Sequence, residues 1–394
     1  MTERTLRRAR VLLLYHTMIP SVRLCGHCQL QELARRGEID YRALQEDRAT
    51  AADLSWADVV VLGRLHTWYA KQLFGRLRRA EKYLIYLLDD DLLNVPPTIS
   101  SAPYLRQRTV RKRIGEMIGQ SNAILSPSRR LLRQYVREGQ RAIRLEEPAL
   151  DPIPYVPKRA DAPVNIGFAG SIDRTGDLEV LLSEALLRVR NTLGGRVRFA
   201  FFGAIPDFAA RLDAQCLPYE PSYDAYRKKL NSLGWDIGLA PMPDTPFHAC
   251  KHYNKLTEYA AAGIAGIYSR VEPYTGLPCP EAAVLCENTP EAWYEAIVQE
   301  VQDRELRERH RQAACRAAAG PLSLESSADH LLDEHASLFV RRSAEPSPVR
   351  GWLWLLKKRA VLHLIYEGAQ RWGVRMPARA LQHIRSRSAR RLDP

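Results

Sequence analysis

This chain of 394 residues has no long apolar run. No stretch approaches the roughly 18 consecutive apolar residues that a membrane-spanning helix needs. After the basic start, the apolar run at residues 11–15 is only five residues long, whereas a secretory signal peptide needs about 7–15 apolar residues and a small-residue cleavage site. We therefore interpret residues 10–15 as an ordinary buried strand and expect a cytoplasmic protein.

Cysteine is also scarce. Seven cysteines in a chain of this length do not predict a disulfide-stabilised fold. Two of them form the motif Cys25-Gly-His-Cys28, which has a redox role in thioredoxin folds, but no thioredoxin-sized domain is evident around it. A zinc site would need a second ligand pair at suitable spacing, and the sequence has none. We predict two ordinary thiols in the first loop and helix, and no metal site.

The glycine motifs of two common nucleotide-binding folds are missing as well. The chain contains neither GxGxxG nor GxxxxGK[ST], which makes a dehydrogenase a distant alternative. The sequence also has no internal repeat at a solenoid period. Hydrophobic residues make up 46% and charged residues 26% of the chain, a composition typical of globular proteins.

The formal charge of +13 is unevenly distributed. From residue 341 onward, thirteen Lys and Arg residues accompany three Asp and Glu residues, a net charge of about +10. Residues 352–366 combine tryptophans, leucines and a basic cluster in an amphipathic pattern. This tail is predicted to contact an anionic membrane surface, or to pack on the second domain with its charged side in solvent. Nucleic-acid binding is an unlikely alternative, because the tail resembles no DNA- or RNA-reading motif.

Two consecutive arrays of strands and helices precede the tail. The buried strands are predicted at residues 10–15, 58–62, 83–88, 123–126, 164–169, 197–202, 236–240 and 264–268. Short aliphatic runs between amphipathic helices predict parallel sheets covered on both faces. The predicted fold is α/β, with two facing Rossmann-like, doubly wound domains. We assign residues 1–150 to the first domain, 151–340 to the second with its closing helix, and 341–394 to a basic helical tail. A ligand would bind in the cleft between the domains.

Charged residues at helical spacing mark a candidate site in the second half. A helix predicted at residues 251–262 places Lys251, Lys255 and Glu258 within about 60° of one another. The simplest interpretation is a solvated helix face with an ion pair. However, this helix follows the strand at 236–240, so its N-terminus would point into the cleft, where free N–H groups and two lysines form an anion site. An anion site beside a carboxylate suits the diphosphate and ribose of a nucleotide sugar.

The end of the strand predicted at residues 164–169 also indicates a phosphate site. The strand at 164–169 leads into Gly170 and Ser171, whose small size allows the backbone to approach a phosphate closely. Arg174 lies in the loop that follows. Turn geometry alone would equally explain these small residues.

These segments resemble the donor-binding region of GT-B retaining glycosyltransferases of the large family-four type (group 1). The matching motifs are Trp235-Asp-Ile-Gly-Leu-Ala-Pro, Asp244-Thr-Pro-Phe, Lys251-x3-Lys255-x2-Glu258-Tyr-Ala-Ala-Ala-Gly263, the loop at 165–171 and Asp177-Leu-Glu179. In the first domain, Asp89-Asp-Asp91-Leu followed by Val95-Pro96 is similar to a segment of the polysaccharide-type members. The resemblance covers roughly residues 10–335 and is densest in the second domain.

The resemblance implies an enzyme that moves a sugar from a nucleoside diphosphate sugar to an acceptor hydroxyl, with retention of configuration. The acceptor would be a glycan or a lipid-linked compound of cell-surface polysaccharide or glycolipid synthesis. Glu258 matches the second acid of a Glu-x7-Glu motif and would bind the ribose. Lys255 and Arg174 would neutralise the diphosphate, and Gly170 and Ser171 would lie against the phosphates or the sugar. The nucleotide sugar is a substrate; no cofactor and no metal are expected.

Three positions leave alternatives open. His66, after the second predicted strand, is a candidate catalytic residue that could face the donor sugar, or it is a surface histidine. Asp89-x-Asp91 has the spacing of a metal-binding motif, but we expect a structural or acceptor-side role. The first acid of Glu-x7-Glu would fall at Cys250, a departure that Asp244 could partly offset. This departure favours the alternative of a non-catalytic GT-B-like binding or scaffold protein.

Overall fold

The computed structural model describes residues 6–157 and 162–342. The strands are β1 (Leu6–Arg8), β2 (Arg10–Tyr15), β3 (Asp40–Gln45), β4 (Val59–Gly63), β5 (Tyr83–Leu87), β6 (Ala123–Ser126), β7 (Arg141–Arg144), β8 (Val164–Gly170), β9 (Val197–Gly203), β10 (Gln215–Leu217), β11 (Ile237–Ala240), β12 (Ala265–Ser269), β13 (Ala283–Cys286) and β14 (Val340–Arg342). The α-helices are α1 (Pro20–Val22), α2 (Cys28–Arg35), α3 (Ala51–Trp56), α4 (Trp68–Arg79), α5 (Ala102–Leu105), α6 (Arg108–Gln120), α7 (Arg129–Tyr135), α8 (Thr175–Leu193), α9 (Tyr223–Ser232), α10 (Asn254–Ala261), α11 (Pro290–Gln302), α12 (Arg304–Ala319) and α13 (Leu324–His335).

The first domain is built on a six-stranded parallel sheet with the order β3-β2-β4-β5-β6-β7. Its central strand β4, Val-Val-Val-Leu-Gly, is buried along its whole length. Such a strand has to be covered on both faces, because it has no polar side. One face packs against α3, α4 and α6, and the other packs against α2 and α13.

The second domain repeats this design. Its parallel sheet has the order β10-β9-β8-β11-β12-β13. Helices α8 and α11 cover one face, and α9, α10 and α12 cover the other. The sequence therefore correctly predicts two doubly wound α/β domains.

Each sheet contains a topological switch point, where successive connections leave in opposite directions. In the first sheet this point lies between β2 and β4, and in the second it lies between β8 and β11. Open α/β sheets bind their ligands at the carboxyl ends of the strands beside such a point. The fold therefore offers two neighbouring crevices, one in each domain.

The end of the described chain returns to the first domain. Helix α13 packs on α2, where Gln29 donates a hydrogen bond to Ser327, and β14 pairs antiparallel with β1. The sequence assigns residues 151–340 to the second domain, but the structure places residues 324–342 against the first. The predicted basic tail lies outside the described residues beyond Arg342.

Besides the short pair β1 and β14, four strands are not predicted from the sequence, namely β3, β7, β10 and β13. All four lie at the edges of the two sheets. An edge strand is partly solvated, so it needs no continuous apolar run; β3, for example, reads Asp-Tyr-Arg-Ala-Leu-Gln and is nowhere fully buried. No helix among the residues described is long and apolar enough to cross a membrane.

Candidate functional site

The carboxyl ends of the two sheets meet at a cavity of about 570 Å³. Its first-domain wall includes the loop after β2, Arg64 after β4 and Asp90 after β5. Its second-domain wall includes the loops after β8, β10 and β11, together with the end of β9 and the start of α10. Another depression, of about 530 Å³, lies on the outer side of α8 and gathers residues of the second domain alone. The interdomain cavity is therefore the candidate site.

Six of the seven predicted site residues line this cavity: Gly170, Ser171, Arg174, Lys251, Lys255 and Glu258. His66 is not among the lining residues. Its ring Nδ1 lies 3.0 Å from the carbonyl oxygen of Arg64, whose own side chain does reach the cavity.

A close backbone contact shapes the end of β8. Gly203 has a φ of +91°, and a Cβ on it would lie 2.1 Å from the carbonyl oxygen of Gly170. Both the positive φ and the close carbonyl of Gly170 exclude a side chain at position 203. Arg174 follows on the next turn, where its guanidinium donates to the carbonyl of Pro241 and pairs with Asp177 at 3.2 Å. The arginine is thereby fixed in the wall at the switch point of the second sheet.

Helix α10 contributes a buried carboxylate and a lysine. Glu258 is 9% exposed, and its Oε2 accepts a hydrogen bond of 2.8 Å from the Tyr226 hydroxyl on α9. Lys255, one turn earlier, forms an ion pair with the same oxygen. Tyr226 also packs against Phe202 at the end of β9, with the ring centroids 5.1 Å apart. The carboxylate is therefore held in one orientation at the cavity wall.

Lys251 does not belong to this helix. The sequence predicts a helix from residue 251, but α10 begins at Asn254, and Lys251 has an extended backbone. Contacts with the first domain explain the late start. Lys251 pairs with Asp90 at 2.8 Å, and the hydroxyl of Tyr253 donates to Glu146. These interdomain contacts hold the segment outside the helix, so the shared helical face predicted for three residues exists only for Lys255 and Glu258.

The ion pair between Lys251 and Asp90 joins the two domains across the cavity. Arg64 lies 3.6 Å from the other oxygen of Asp90. Although burial opposes ionisation, Lys251 and Arg64 hold the pKa of Asp90 below its usual value. Burial, reinforced by the charges of Arg174 and Lys251, lowers the pKa of His248 to about 4. The cavity wall thus carries a neutral histidine at neutral pH.

The two other aspartates of the Asp89-Asp-Asp91 run have structural partners. Asp89 accepts from Arg64 at 2.7 Å, and Asp91 accepts from the hydroxyl of Tyr135. Both are buried. In the part of the chain that the structure describes, no group of three or more His, Cys, Asp or Glu side chains could hold a metal ion.

Cys250 lies outside the cavity wall, in the contact between the domains. It is 1% exposed and, with Phe247, packs into the hydrophobic core of the first domain. Burial, with a smaller contribution from Asp91, raises the pKa of its thiol to about 11. Asp244, considered as a substitute acid, is not among the lining residues.

The Cys25-Gly-His-Cys28 motif is structural. Both cysteines are buried and free, and Cys25 donates to a carboxylate oxygen of Glu147 at 2.8 Å. Burial raises the pKa of both thiols, Cys25 strongly. A redox thiol needs a lowered pKa and access to solvent, so the expected ordinary role agrees with the structure.

Several lining residues are not predicted from the sequence. They are Arg64 and Asp90 of the first domain, and Tyr219, Tyr223 and Tyr226 of the second. The tyrosines at 223 and 226 are three positions apart, as neighbours on one helix face are. This spacing could indicate from the sequence that Tyr223 and Tyr226 act together, although it is equally typical of a core helix.

No protein-family model matches the chain, and no curated protein matches its sequence. Several solved structures, in contrast, are similar to this chain in fold. Anabaena HepE, in complex with UDP and glucose, is similar with a TM-score of 0.56 at 11% identity, over 84% of this chain and 100% of that one. Sucrose-phosphate synthase from Thermosynechococcus elongatus has a TM-score of 0.55 at 13% identity, over 84% and 99% of the two chains. An α-glucosyltransferase in complex with UDP and a 13-mer DNA containing an HMU base has a TM-score of 0.54 at 11% identity, over 83% and 98%.

At such identities the likeness concerns the fold. The two facing Rossmann-like domains, the cleft between them and the near-complete coverage of these structures confirm the predicted GT-B fold.

Proposed function

We propose that this chain is a glycosyltransferase that moves a sugar from a nucleoside diphosphate sugar to an acceptor hydroxyl. The observation that carries the proposal is the set of side chains at the second switch point. Three cationic side chains and one buried carboxylate line the same cavity there: Arg174, Lys251, Lys255 and Glu258. A diphosphate requires cations, and a ribose requires a hydrogen-bond acceptor. Two of the similar structures contain UDP, which makes UDP sugars the first donors to test.

The donor would lie along the second-domain wall. Its diphosphate would approach the backbone at Gly170 and Ser171, with Arg174 and Lys255 as counter-charges. Glu258, held by Tyr226, would accept hydrogen bonds from the ribose hydroxyls. Lys251 would add a third cation from the interdomain side.

The chemistry would depend on stabilising the leaving group. As the bond between the sugar and the diphosphate breaks, negative charge grows on the diphosphate oxygens, and fixed cations lower the energy of that state. This arrangement requires no metal ion. The family resemblance implies retention at the anomeric carbon. His66, in the loop after β4, would act from the first domain on the side of the cleft that faces the donor sugar.

The acceptor would be a glycan or a lipid-linked compound of cell-surface polysaccharide or glycolipid synthesis. The basic tail beyond residue 341 would bring the enzyme to an anionic membrane. Cosedimentation with liposomes of phosphatidylglycerol tests this by comparing the full chain with one ending at Arg342. Equal binding by the two chains would reject the tail as an anchor.

The donor site is tested by a thermal-shift screen against UDP, GDP, CMP and their sugar conjugates. A ligand at about 100 times its Kd adds about 2.7 kcal/mol of stability, which is readily measured. We expect a shift with one nucleotide class that Lys255→Ala abolishes. The matched control is Lys71→Ala, which removes a lysine paired with Glu116 at 2.8 Å outside the cavity. If no nucleotide raises the melting temperature, the proposal fails.

A second candidate is a GT-B-like binding or scaffold protein without catalysis. The position of Cys250 favours it, because the residue expected to be an acid is a thiol buried in the domain contact. Nucleotide-sugar binding without release of the nucleoside diphosphate would support this candidate over the enzyme.

A further inference from the structure

One histidine that no sequence motif indicates lies in the wall of the donor cavity. His248 begins the short 3₁₀ turn His248–Cys250 in the connection between β11 and α10. It is the only histidine among the described residues that line the cavity. Its side chain is 10% exposed. An imidazole that is nearly buried yet borders the cavity is placed to meet a ligand there.

Two neighbours fix the ring of His248. Its Nδ1 lies 2.8 Å from the hydroxyl oxygen of Thr245, and the same oxygen accepts from the backbone N–H of His248 at 3.3 Å. The ring of Phe247 packs edge-on against it, with the centroids 5.5 Å apart and the planes 85° to each other. Because Nδ1 is engaged, Nε2 is the ring nitrogen that remains to bind a ligand.

This nitrogen lies close to a proposed phosphate ligand. Nε2 is 3.8 Å from Oδ2 of Asp177, too far for a hydrogen bond, and Nε of Arg174 lies 3.2 Å from that same oxygen. The two nitrogens are therefore at most about 7 Å apart. Two oxygens of one phosphate group can span this distance, because each accepts a charge-assisted hydrogen bond at about 2.8 Å. A diphosphate that contacts Arg174 would therefore also reach His248.

The charges around the ring favour its neutral form as long as no anion is bound. Burial and the charges of Arg174 and Lys251 lower the pKa of His248 to about 4. Asp90 opposes this shift but is engaged by Lys251 at 2.8 Å. Asp177, the other carboxylate that faces the ring, pairs with Arg174. A bound diphosphate would add negative charge beside the ring, which stabilises the protonated imidazole.

The partner of Nδ1 suits both charge states of the ring. A hydroxyl is a donor and an acceptor, and its proton can rotate. The Thr245 hydroxyl can therefore donate to Nδ1 of the neutral ring and accept from Nδ1–H of the protonated ring, because the backbone N–H of His248 occupies only one of its two lone pairs. Protonation of the ring therefore leaves no unsatisfied donor at Nδ1.

We propose that His248 binds the diphosphate of the donor through Nε2 and takes up one proton as the donor binds. The proposal rests on the glycosyltransferase function proposed above. The proton comes from solvent and bonds to the lone pair of the neutral ring, so the ring then donates from both nitrogens. It returns to solvent when the nucleoside diphosphate leaves. While the donor is bound, the added positive charge faces the oxygens on which negative charge grows during sugar transfer.

Proton uptake determines how donor affinity depends on pH. The complex holds one more proton than its free components, so the donor binds more tightly as pH falls from the pKa of His248 in the complex to its pKa of about 4 in the free protein. Within that range, the Kd should decrease by up to about tenfold per pH unit. A nucleotide sugar is a suitable probe, because both phosphates of its diphosphate are esterified and take up no proton near neutral pH.

The first experiment is isothermal titration calorimetry of the full chain with the nucleotide sugar that the thermal-shift screen selects. Titrations between about pH 5 and 8, each in two buffers of different ionisation enthalpy, give the number of protons taken up per bound donor. We expect uptake to approach one proton at its maximum. Donor binding without proton uptake at any pH would overturn this proposal and leave the donor site intact. Absence of nucleotide binding would overturn the proposed function as well.

The second experiment repeats these titrations with His248→Gln, which keeps an amide donor but cannot gain the charge. Its proton uptake should be lost, its Kd should no longer follow pH, and at about pH 6 it should bind the donor about tenfold more weakly. The matched control is His27→Gln. Nδ1 of His27 also lies 2.8 Å from a hydroxyl, that of Tyr41, and burial also lowers its pKa, but His27 is not among the residues that line the cavity. The control should keep the wild-type uptake and affinity. Uptake that persists in His248→Gln would assign the proton to another group and overturn the proposal.

Discussion

Replacement of Glu258 by glutamine should separate the ribose contact from the diphosphate contact. Both partners of this carboxylate, Tyr226 and Lys255, meet Oε2, so Oε1 is the oxygen available to a ribose hydroxyl. A hydrogen bond to a charged group contributes about 1.5–3 kcal/mol, against about 0.5–1.5 kcal/mol for a neutral one. The substitution should therefore weaken binding of the nucleoside diphosphate by about 1–1.5 kcal/mol, or roughly five- to tenfold in Kd.

Inorganic pyrophosphate lacks a ribose and should behave differently. In Glu258→Gln, Lys255 no longer shares its charge with a carboxylate, so pyrophosphate should bind as tightly as to the wild type or more tightly. Isothermal titration calorimetry measures both ligands on the same protein. Lys255→Met should weaken both, and Glu116→Gln, which loses a lysine pair outside the cavity, should change neither. Equal weakening of nucleotide and pyrophosphate by Glu258→Gln would refute the assignment of this residue to the ribose.

Three further predictions concern the domain contact. Asp90→Asn frees Lys251 and should tighten pyrophosphate binding by up to about 1 kcal/mol in calorimetry; weaker binding would exclude Lys251 as a phosphate ligand. Although burial opposes the charge, Glu147 raises the pKa of His252 to about 9. The stability that the pair of His252 and Glu147 contributes is complete below the unfolded-state pKa of about 6.5 and is lost as pH rises through the folded-state pKa. Between about pH 7 and 10, the melting temperature should therefore fall more steeply in the wild type than in His252→Gln. Cys250→Glu introduces an acid at the position where the resemblance implies one, and this position is buried. The variant should lower the melting temperature by several degrees, because burying a carboxylate costs several kcal/mol; faster transfer by this variant would contradict the buried location of residue 250.

The interior strands can be predicted because each one is a continuous run of apolar residues in the sequence. β4 and β8 have such runs, and their positions agree with the sequence analysis to within a residue. The edge strands β3 and β10 lack them, since a strand with one solvated side can carry polar residues. The start of α10 was also misplaced, because local helix propensity extends to Lys251 while the first domain holds that segment extended.

The two-domain α/β architecture and the clustering of candidate site residues after β8 and β11 can both be predicted from the sequence. Both follow from local patterns, since residues near the carboxyl ends of neighbouring parallel strands must meet at one edge. Which residues of the two domains face each other depends on how the domains pack and is visible in the folded chain alone. Asp90 and Lys251 are 161 positions apart. No periodicity encodes such pairs, because they depend on how whole domains and loops pack.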